Sequence, residues 1–576
     1  MDIPRNEYPR PQMMREKWIN LNGTWQFEFD FGKSGKERGL ISKKELCSEI
    51  IVPFCPESSL SGIGFKDFIN AAWYKRNIGI PAEWTNGRVL LNFEAVDYYC
   101  EVWINEKFAG SHKGGYTPFS FDISDLLSKG DNILTVYVED DNRTGLQPRG
   151  KQSEKYSSQG CDYTRVTGIW QTVWLEYVPE SYIKSYQVIS DVDNAKVHIL
   201  ANVTGAGTLV ANAKFEGREV GRASAKSTGG EVRMSIDLSE LHLWEPLNPK
   251  LYDFNLSFNH DSIDGYFGMR KLELSNNAVL INGKPVFQRL VLDQGYYPDG
   301  IYTAPDDSAL QKDIELSLAL GFNGARLHQK VFERRFLYHA DKMGYMVWGE
   351  YGSWGLNHSK AEALEIFLPE WLEAVERDYN SPALIGWCPF NETGDVNGCK
   401  QDDEVLRNVY LATKAVDRTR PVIDTSGNFH VKTDIYDVHN YNQNVGLFEA
   451  EFAPMINGGD VFENFPARQK YEGQPYFVSE YGGIRWSPSG DAGWGYGDAP
   501  ETEEEFVNRY IGLAEVLLKN PGICALCYTQ LYDVEQEVNG IYSYDRTPKF
   551  SDNILKKMRE AMQSRAAIEE SFLQGR

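Results

Sequence analysis

Three glutamates stand at the ends of apolar runs, where a carboxylate can pass a proton or attack a carbon. Glu350 follows Met346-Val347-Trp348-Gly349, Glu392 follows Ile385-Gly386-Trp387-Cys388-Pro389-Phe390-Asn391, and Glu480 follows Pro475-Tyr476-Phe477-Val478-Ser479. A carboxylate closing a buried strand is costly unless it is paired or leaves the core. Two such groups facing one bond are what glycosidic cleavage requires: one protonates the leaving oxygen while the other stabilises or attacks the anomeric carbon. Other hydrolytic chemistries fit less well. No G-x-S-x-G nucleophile turn occurs, Gly32-Lys33-Ser34 lacks the upstream glycine of a phosphate loop, and no His and acid cluster has metal-ligand spacing, so no metal is expected.

Such glutamates need a scaffold that turns several strand ends toward one cavity. After about residue 274 the sequence alternates strand and helix, with strands predicted at 285–293, 321–328, 345–351, 383–392, 421–426, 435–441, 475–481 and 523–530. Amphipathic stretches at 306–320, 361–377 and 503–519 lie between them. This is the pattern of a (β/α)₈ TIM barrel, whose reacting groups sit at the C-terminal strand ends. Residues 1–183 predict an all-β jelly-roll sandwich, with half-buried alternation in Tyr99-Cys100-Glu101-Val102-Trp103-Ile104. Residues 184–273 predict one immunoglobulin-like sandwich, without a cysteine to form an inter-sheet disulfide. The expected fold class is therefore multidomain: jelly-roll sandwich, immunoglobulin-like sandwich and C-terminal barrel.

A net charge of −23 disfavours nucleic acid and anionic membrane partners. Neither an apolar leader nor an apolar run long enough to span a bilayer is visible, so a cytoplasmic location is expected. The eight cysteines are sparse for 576 residues and are read as reduced thiols. Cys524-x-x-Cys527 lies in an apolar run and is read as structural.

Several separated segments resemble glycoside hydrolase family 2. They are Trp18-Ile19-Asn20-Leu21-Asn22-Gly23-Thr24-Trp25-Gln26-Phe27, Trp73-Tyr74-Lys75-Arg76, Gly114-Gly115-Tyr116-Thr117-Pro118-Phe119 and Arg165-Val166-Thr167-Gly168-Ile169-Trp170 in the first region. Leu243-Trp244-Glu245-Pro246-Leu247-Asn248-Pro249 follows in the second and Leu280-Ile281-Asn282-Gly283-Lys284-Pro285 opens the third. Asn391-Glu392 ending strand 4 and Glu480 ending strand 7 are similar to the catalytic positions of that retaining clan. The resemblance implies that Glu392 is the acid/base and Glu480 the nucleophile. It further implies that Arg326 and Tyr441 contact the nucleophile and that Asn391 holds the substrate 2-hydroxyl. Asp162, three residues before Arg165, resembles an aspartate that the first domain sends into the site. His328 and His439 are candidates for substrate hydroxyl contacts, and Glu350 for a supporting role. The implied partner is a carbohydrate, with no cofactor; self-association into a homo-oligomer stays open.

The sugar is less legible. The family's β-glucuronidases carry a late Asn-x-Lys that grips a carboxylate, whereas the stretch after strand 8 holds Asp533, Glu535 and Glu537 and no lysine before Tyr542. Like charge there disfavours a uronate, although Arg289 or Arg485 offers an alternative clamp. Glu535 and Glu537 are themselves candidates for substrate binding. β-Galactosidase is the first expectation, with β-hexuronidase, α-L-arabinosidase and β-mannosidase as alternatives. A non-catalytic carbohydrate-binding protein is the alternative class.

Overall fold

In the computed structural model, which describes residues 3–84, 86–396, 399–488, 490 and 493–574, alternation in the first region resolves into two antiparallel sheets. Trp18–Asn20, Val173–Pro179, Gly87–Phe93 and Phe119–Asp122 form one; Ser48–Val52, Gly23–Phe29, Ala71–Gly79, Asp131–Glu139, Tyr99–Ile104 and Lys107–Lys113 form the other. Cys100, Val102 and Ile104, two residues apart, point inward with Phe27, Tyr74, Leu91 and Phe93, because side chains alternate across a strand. Trp103 instead joins Trp73 and Tyr137 on the outer face.

The second region pairs a three-stranded sheet (Ile183–Asp191, Lys196–Val203, Gly230–Asp237) with a four-stranded one (Arg218–Ser227, Gly207–Phe215, Tyr252–Phe258, Asp261–Phe267). Val232, Met234 and Ile236 face the core between them.

The third region curls a parallel sheet. Its strands follow the order Leu384–Cys388, Met346–Glu350, Gly324–Leu327, Gln288–Asp293, Ile523–Thr529, Tyr476–Gly482, Tyr436–Asn440. In barrel numbering these are strands 4, 3, 2, 1, 8, 7 and 6. Helices at Asp307–Ala319, Ala363–Asp378 and Glu503–Leu518 occupy the expected amphipathic stretches. The last begins on an N-cap, with the Thr502 hydroxyl accepting the Glu505 N–H at 3.1 Å.

Two barrel strands depart from expectation. Strand 1 begins at Gln288 rather than Pro285, because Asn282 and Gly283 (φ 53° and 74°) make a tight turn that pairs Lys284–Pro285 back onto Ala278–Ile281. The region of strand 5 is reduced to Thr425–Ser426, paired with Phe390–Asn391, and one bridge between Trp387 and Val422. Pro389, without an N–H, divides strand 4, and Pro421 offers none to its neighbour. Where the ladder lapses, side chains close the wall: the Ser426 hydroxyl donates to Asp437 at 2.6 Å, and the Asp434 carboxylate accepts the Val422 N–H at 2.9 Å.

A strap of the first domain, residues 149–165, crosses the barrel mouth. The Arg149 and Gly150 N–H groups donate to the carbonyls of Trp354 (2.7 Å) and Gly352 (3.0 Å). Gly150 sits at φ +58°, and a Cβ there would stand 2.3 Å from the Gln329 carbonyl oxygen, so only glycine permits this approach. Among the described residues, no helix is long and apolar enough to cross a membrane.

Candidate active site

The strand ends converge as the barrel geometry requires. One oxygen each of Glu392 and Glu480 and one ring nitrogen of His439 all lie within 4.8 Å of one another. That separation matches the roughly 5 Å spacing of carboxyls in retaining glycosidases, well short of the roughly 6.5–9.5 Å that leaves room for a water between inverting carboxyls.

Glu480, at strand 7, is 3 % exposed and fully engaged. Arg326 Nη1 donates to its Oε1 at 3.1 Å, and the Tyr441 hydroxyl donates to its Oε2. Arg326 is itself fixed on every side: Nε to Glu350 Oε1 (2.6 Å), Nη1 to the Ser479 carbonyl (2.9 Å), Nη2 to Asn391 Oδ1 (3.0 Å). Glu350 therefore anchors the guanidinium from behind and also accepts His328 Nδ1 at 2.9 Å. Tyr441 is held by Tyr496, stacked face to face with centroids 3.5 Å apart.

Glu392 lies one residue beyond Phe390–Asn391, with its side chain about one-third exposed (32 %). It occupies the left-handed region (φ 45°), which a non-glycine residue adopts only when its surroundings impose it. Here its N–H is fastened to the Ser426 carbonyl at 2.9 Å. Its Oε1 stands 2.8 Å from His439 Nδ1, and His439 Nε2 lies 3.4 Å from Glu480 Oε1.

The proton distribution differs from a simple buried acid. A general acid must hold a proton as the leaving oxygen departs. Burial does push Glu392 up, but the His439 hydrogen bond and charge outweigh burial and hold it below the ordinary carboxylate value. Burial pushes His439 down, yet the charge of Glu480 and the bond to Glu392 raise it above the usual histidine value. Without substrate, the proton of this pair rests on His439. His328, desolvated and beside Lys151, is held well below the usual range and is neutral. Its Nδ1–H donates to Glu350, leaving Nε2 as an acceptor 4.0 Å from Glu480.

Of the remaining expected site residues, Asn391 has its side-chain amide nitrogen buried and without a partner among the described residues, while its backbone carbonyl accepts from Trp354 Nε1 at 2.9 Å. Asp162 lies on the strap with Oδ1 paired to Arg149 at 3.1 Å. Glu535 and Glu537 are engaged by the strap as well. Glu535 accepts the Thr164 N–H at 3.1 Å; Glu537 accepts the Tyr163 hydroxyl and Asn539 Nδ2 (2.8 Å). Their carboxylates therefore tie the first domain to the barrel. Asp533, the third acid of this stretch, is paired with Lys549 at 2.6 Å. Arg289, considered as a clamp, is bound to the Met562 and Ser564 carbonyls and Glu569, beneath the C-terminal segment. Arg485 Nη1 reaches the Gly493 carbonyl at 3.4 Å. Cys524 and Cys527 are buried in strand 8, and burial pushes the Cys524 thiol up to about 12.

Sequence reasoning missed Lys151, Trp354 and Tyr496. Lys151 comes from another domain, and Trp354 and Tyr496 lie on loops, so no strand-end pattern marks them.

A cavity of about 470 Å³ opens beside Glu392, lined by Arg143, Leu146, Arg149, Trp354, Leu356 and Ile366 among others. It reaches Glu392 but not Glu480.

Comparison with known proteins places the chain. Residues 64–179 match "Glycosyl hydrolases family 2, sugar binding domain", 181–270 match "Glycosyl hydrolases family 2", and 272–564 match "Glycosyl hydrolases family 2, TIM barrel domain". A β-galactosidase of Thermoanaerobacter pseudethanolicus is 26 % identical over 400 residues, covering 66 % of this chain and 51 % of that protein, so the match spans about half its length. A β-glucuronidase of Sus scrofa is 27 % identical over 467 residues, covering 74 % and 71 %. The solved structure of an uncultured Clostridium sp. β-glucuronidase superposes with a TM-score of 0.78 at 21 % identity, covering 96 % of this chain and 99 % of the other. With the three family domains matched in order over a barrel mouth holding paired glutamates, the chain belongs to glycoside hydrolase family 2 and is a glycoside hydrolase.

Proposed function

We propose that the protein is a retaining, exo-acting β-glycosidase that removes a terminal sugar by double displacement. The reading rests above all on the separation of Glu392 and Glu480, within 4.8 Å. Glu480 attacks the anomeric carbon while Glu392 donates a proton to the leaving oxygen; Glu392 then takes a proton from water, which releases the sugar with retained configuration. Arg326 and Tyr441 hydrogen-bond Glu480 and hold it aimed, and the free Asn391 amide donates toward the sugar. Exo action is supported by the asymmetry of the mouth: the open cavity lies on the Glu392 side, where the leaving group departs, and the strap lies across the barrel end. Proton NMR of early turnover should show the β-anomer forming first; early α-anomer is the opposite outcome.

The raised His439 makes a pH prediction. Before transfer, the single proton of the Glu392–His439 pair must be present, and a raised value means it stays bound until pH climbs through that value. The alkaline limb of kcat/KM should therefore lie above the ordinary histidine value of 6.5. A limb close to the ordinary glutamate value of 4.5 would show that the pair does not share the proton.

For the sugar, β-galactosides and β-hexuronides are the two readings, and the names of the relatives include both. Lys151 favours the second.

A further inference from the structure

Among the described residues, Lys151 carries a buried ammonium with no hydrogen-bond or ion-pair partner, only an aromatic face beside it. It is 5 % exposed, and its Nζ stands 4.1 Å from the centre of the Trp354 ring. Trp354 is in turn tied to the backbone carbonyl of Asn391, next to Glu392. Among the described residues, Lys151 Nζ makes no hydrogen bond and no ion pair. Carboxylates are nearby but committed: Glu480 to Arg326 and Tyr441, Glu537 to Tyr163 and Asn539, and Glu392 Oε1 to His439. Burial lowers the affinity of Lys151 for its proton, and the fields of Glu537, Glu480 and Glu392 more than restore it, so the group stays charged.

A buried ammonium offers three donors and accepts nothing; the surrounding acids keep Lys151 charged, but none of them takes those donors in a hydrogen bond among the described residues. A neutral sugar hydroxyl can accept from an ammonium but brings no counter-charge. A carboxylate instead gives a charge-assisted pair about twice as strong as a neutral hydrogen bond. Two other cations close to the paired glutamates are taken, Arg326 by Glu350, Glu480 and Asn391, and Arg149 by Asp162. The acids after strand 8, which in sequence disfavour a uronate, are bound by Lys549, Thr164 and Tyr163.

We propose that Lys151, delivered by the first domain across the barrel mouth, determines specificity by pairing with a carboxylate on the terminal sugar, the one Glu480 attacks, so that β-hexuronides are the preferred substrates. The inference rests on the retaining-glycosidase reading above. It also explains why the strap crosses the mouth, since the domain that carries Lys151 completes the site while Glu535 and Glu537 hold that strap in place.

The test is kcat/KM of the full chain on p-nitrophenyl β-galactoside, β-galacturonide and β-glucuronide, for wild type, Lys151→Met and Lys151→Arg. Wild type should prefer one of the uronides over the galactoside. Lys151→Met should lower the uronide-to-galactoside ratio by roughly 100-fold, the scale of one hydrogen bond to a charged group, and Lys151→Arg should recover part of it. A ratio unchanged in Lys151→Met overturns the inference, since a merely structural lysine would depress all three substrates together. Wild-type activity on the galactoside but neither uronide overturns it alone. Inertness toward these three and toward p-nitrophenyl β-mannoside and α-arabinoside overturns the glycosidase reading, and this inference with it.

Discussion

Glu480→Gln is expected to reduce kcat by roughly four orders of magnitude or more, about 5.4 kcal/mol of transition-state stabilisation at 1.36 kcal/mol per tenfold. The amide has the size of the carboxylate, so the loss isolates nucleophilicity and charge. Arg326 and Tyr441 would then face a group that neither attacks carbon nor offsets an oxocarbenium-like transition state. Because Arg326 keeps Glu350 as a buried counter-charge at 2.6 Å, the variant should fold, and a thermal melt separates inactivity from collapse. Turnover within tenfold of wild type would remove Glu480 from the reaction.

Glu392→Ala should produce a loss that depends on the leaving group. General acid–base assistance contributes roughly 10²–10⁴-fold, and that share is needed only where the departing oxygen requires a proton. Alkyl glycosides should show the full loss. A dinitrophenyl glycoside, whose leaving group departs as a stable anion, should form the glycosyl-enzyme readily and then stall, because no base activates water. Azide needs no deprotonation and should restore turnover, yielding a β-glycosyl azide. An equal loss on both substrate types with no azide rescue would mean that Glu392 positions other groups instead of transferring protons. The open cavity beside Glu392 gives azide a path to the anomeric carbon.

Legibility from sequence followed locality. Glu350, Glu392 and Glu480 were visible because an apolar strand that ends in a carboxylate violates its own pattern, and barrels place such residues on one rim. Arg326 and Tyr441 became candidates only through family resemblance, and the structure sets both on Glu480. The strand 5 region was overestimated because periodicity sees apolar runs, while Pro389 and Pro421 remove ladder donors and leave the closure to Ser426 and Asp437. That Glu535 and Glu537 also hold the strap was not legible, because the residues that bond them, Thr164 and Tyr163, lie about 370 positions earlier in another domain. Lys151 was invisible for the same reason. The protonation of Glu392 depends on which nitrogen of His439 faces it, and that is a matter of three-dimensional placement.

Double displacement requires that Glu480 become covalently bonded to the sugar. Incubation with a 2-deoxy-2-fluoro β-glycosyl fluoride of the sugar the enzyme turns over slows the second displacement, and peptide mass mapping then locates the adduct. A single fluoroglycosyl addition is expected on the peptide containing Tyr476–Gly482, at Glu480. An adduct on Glu392, Glu350 or any other residue would contradict that assignment.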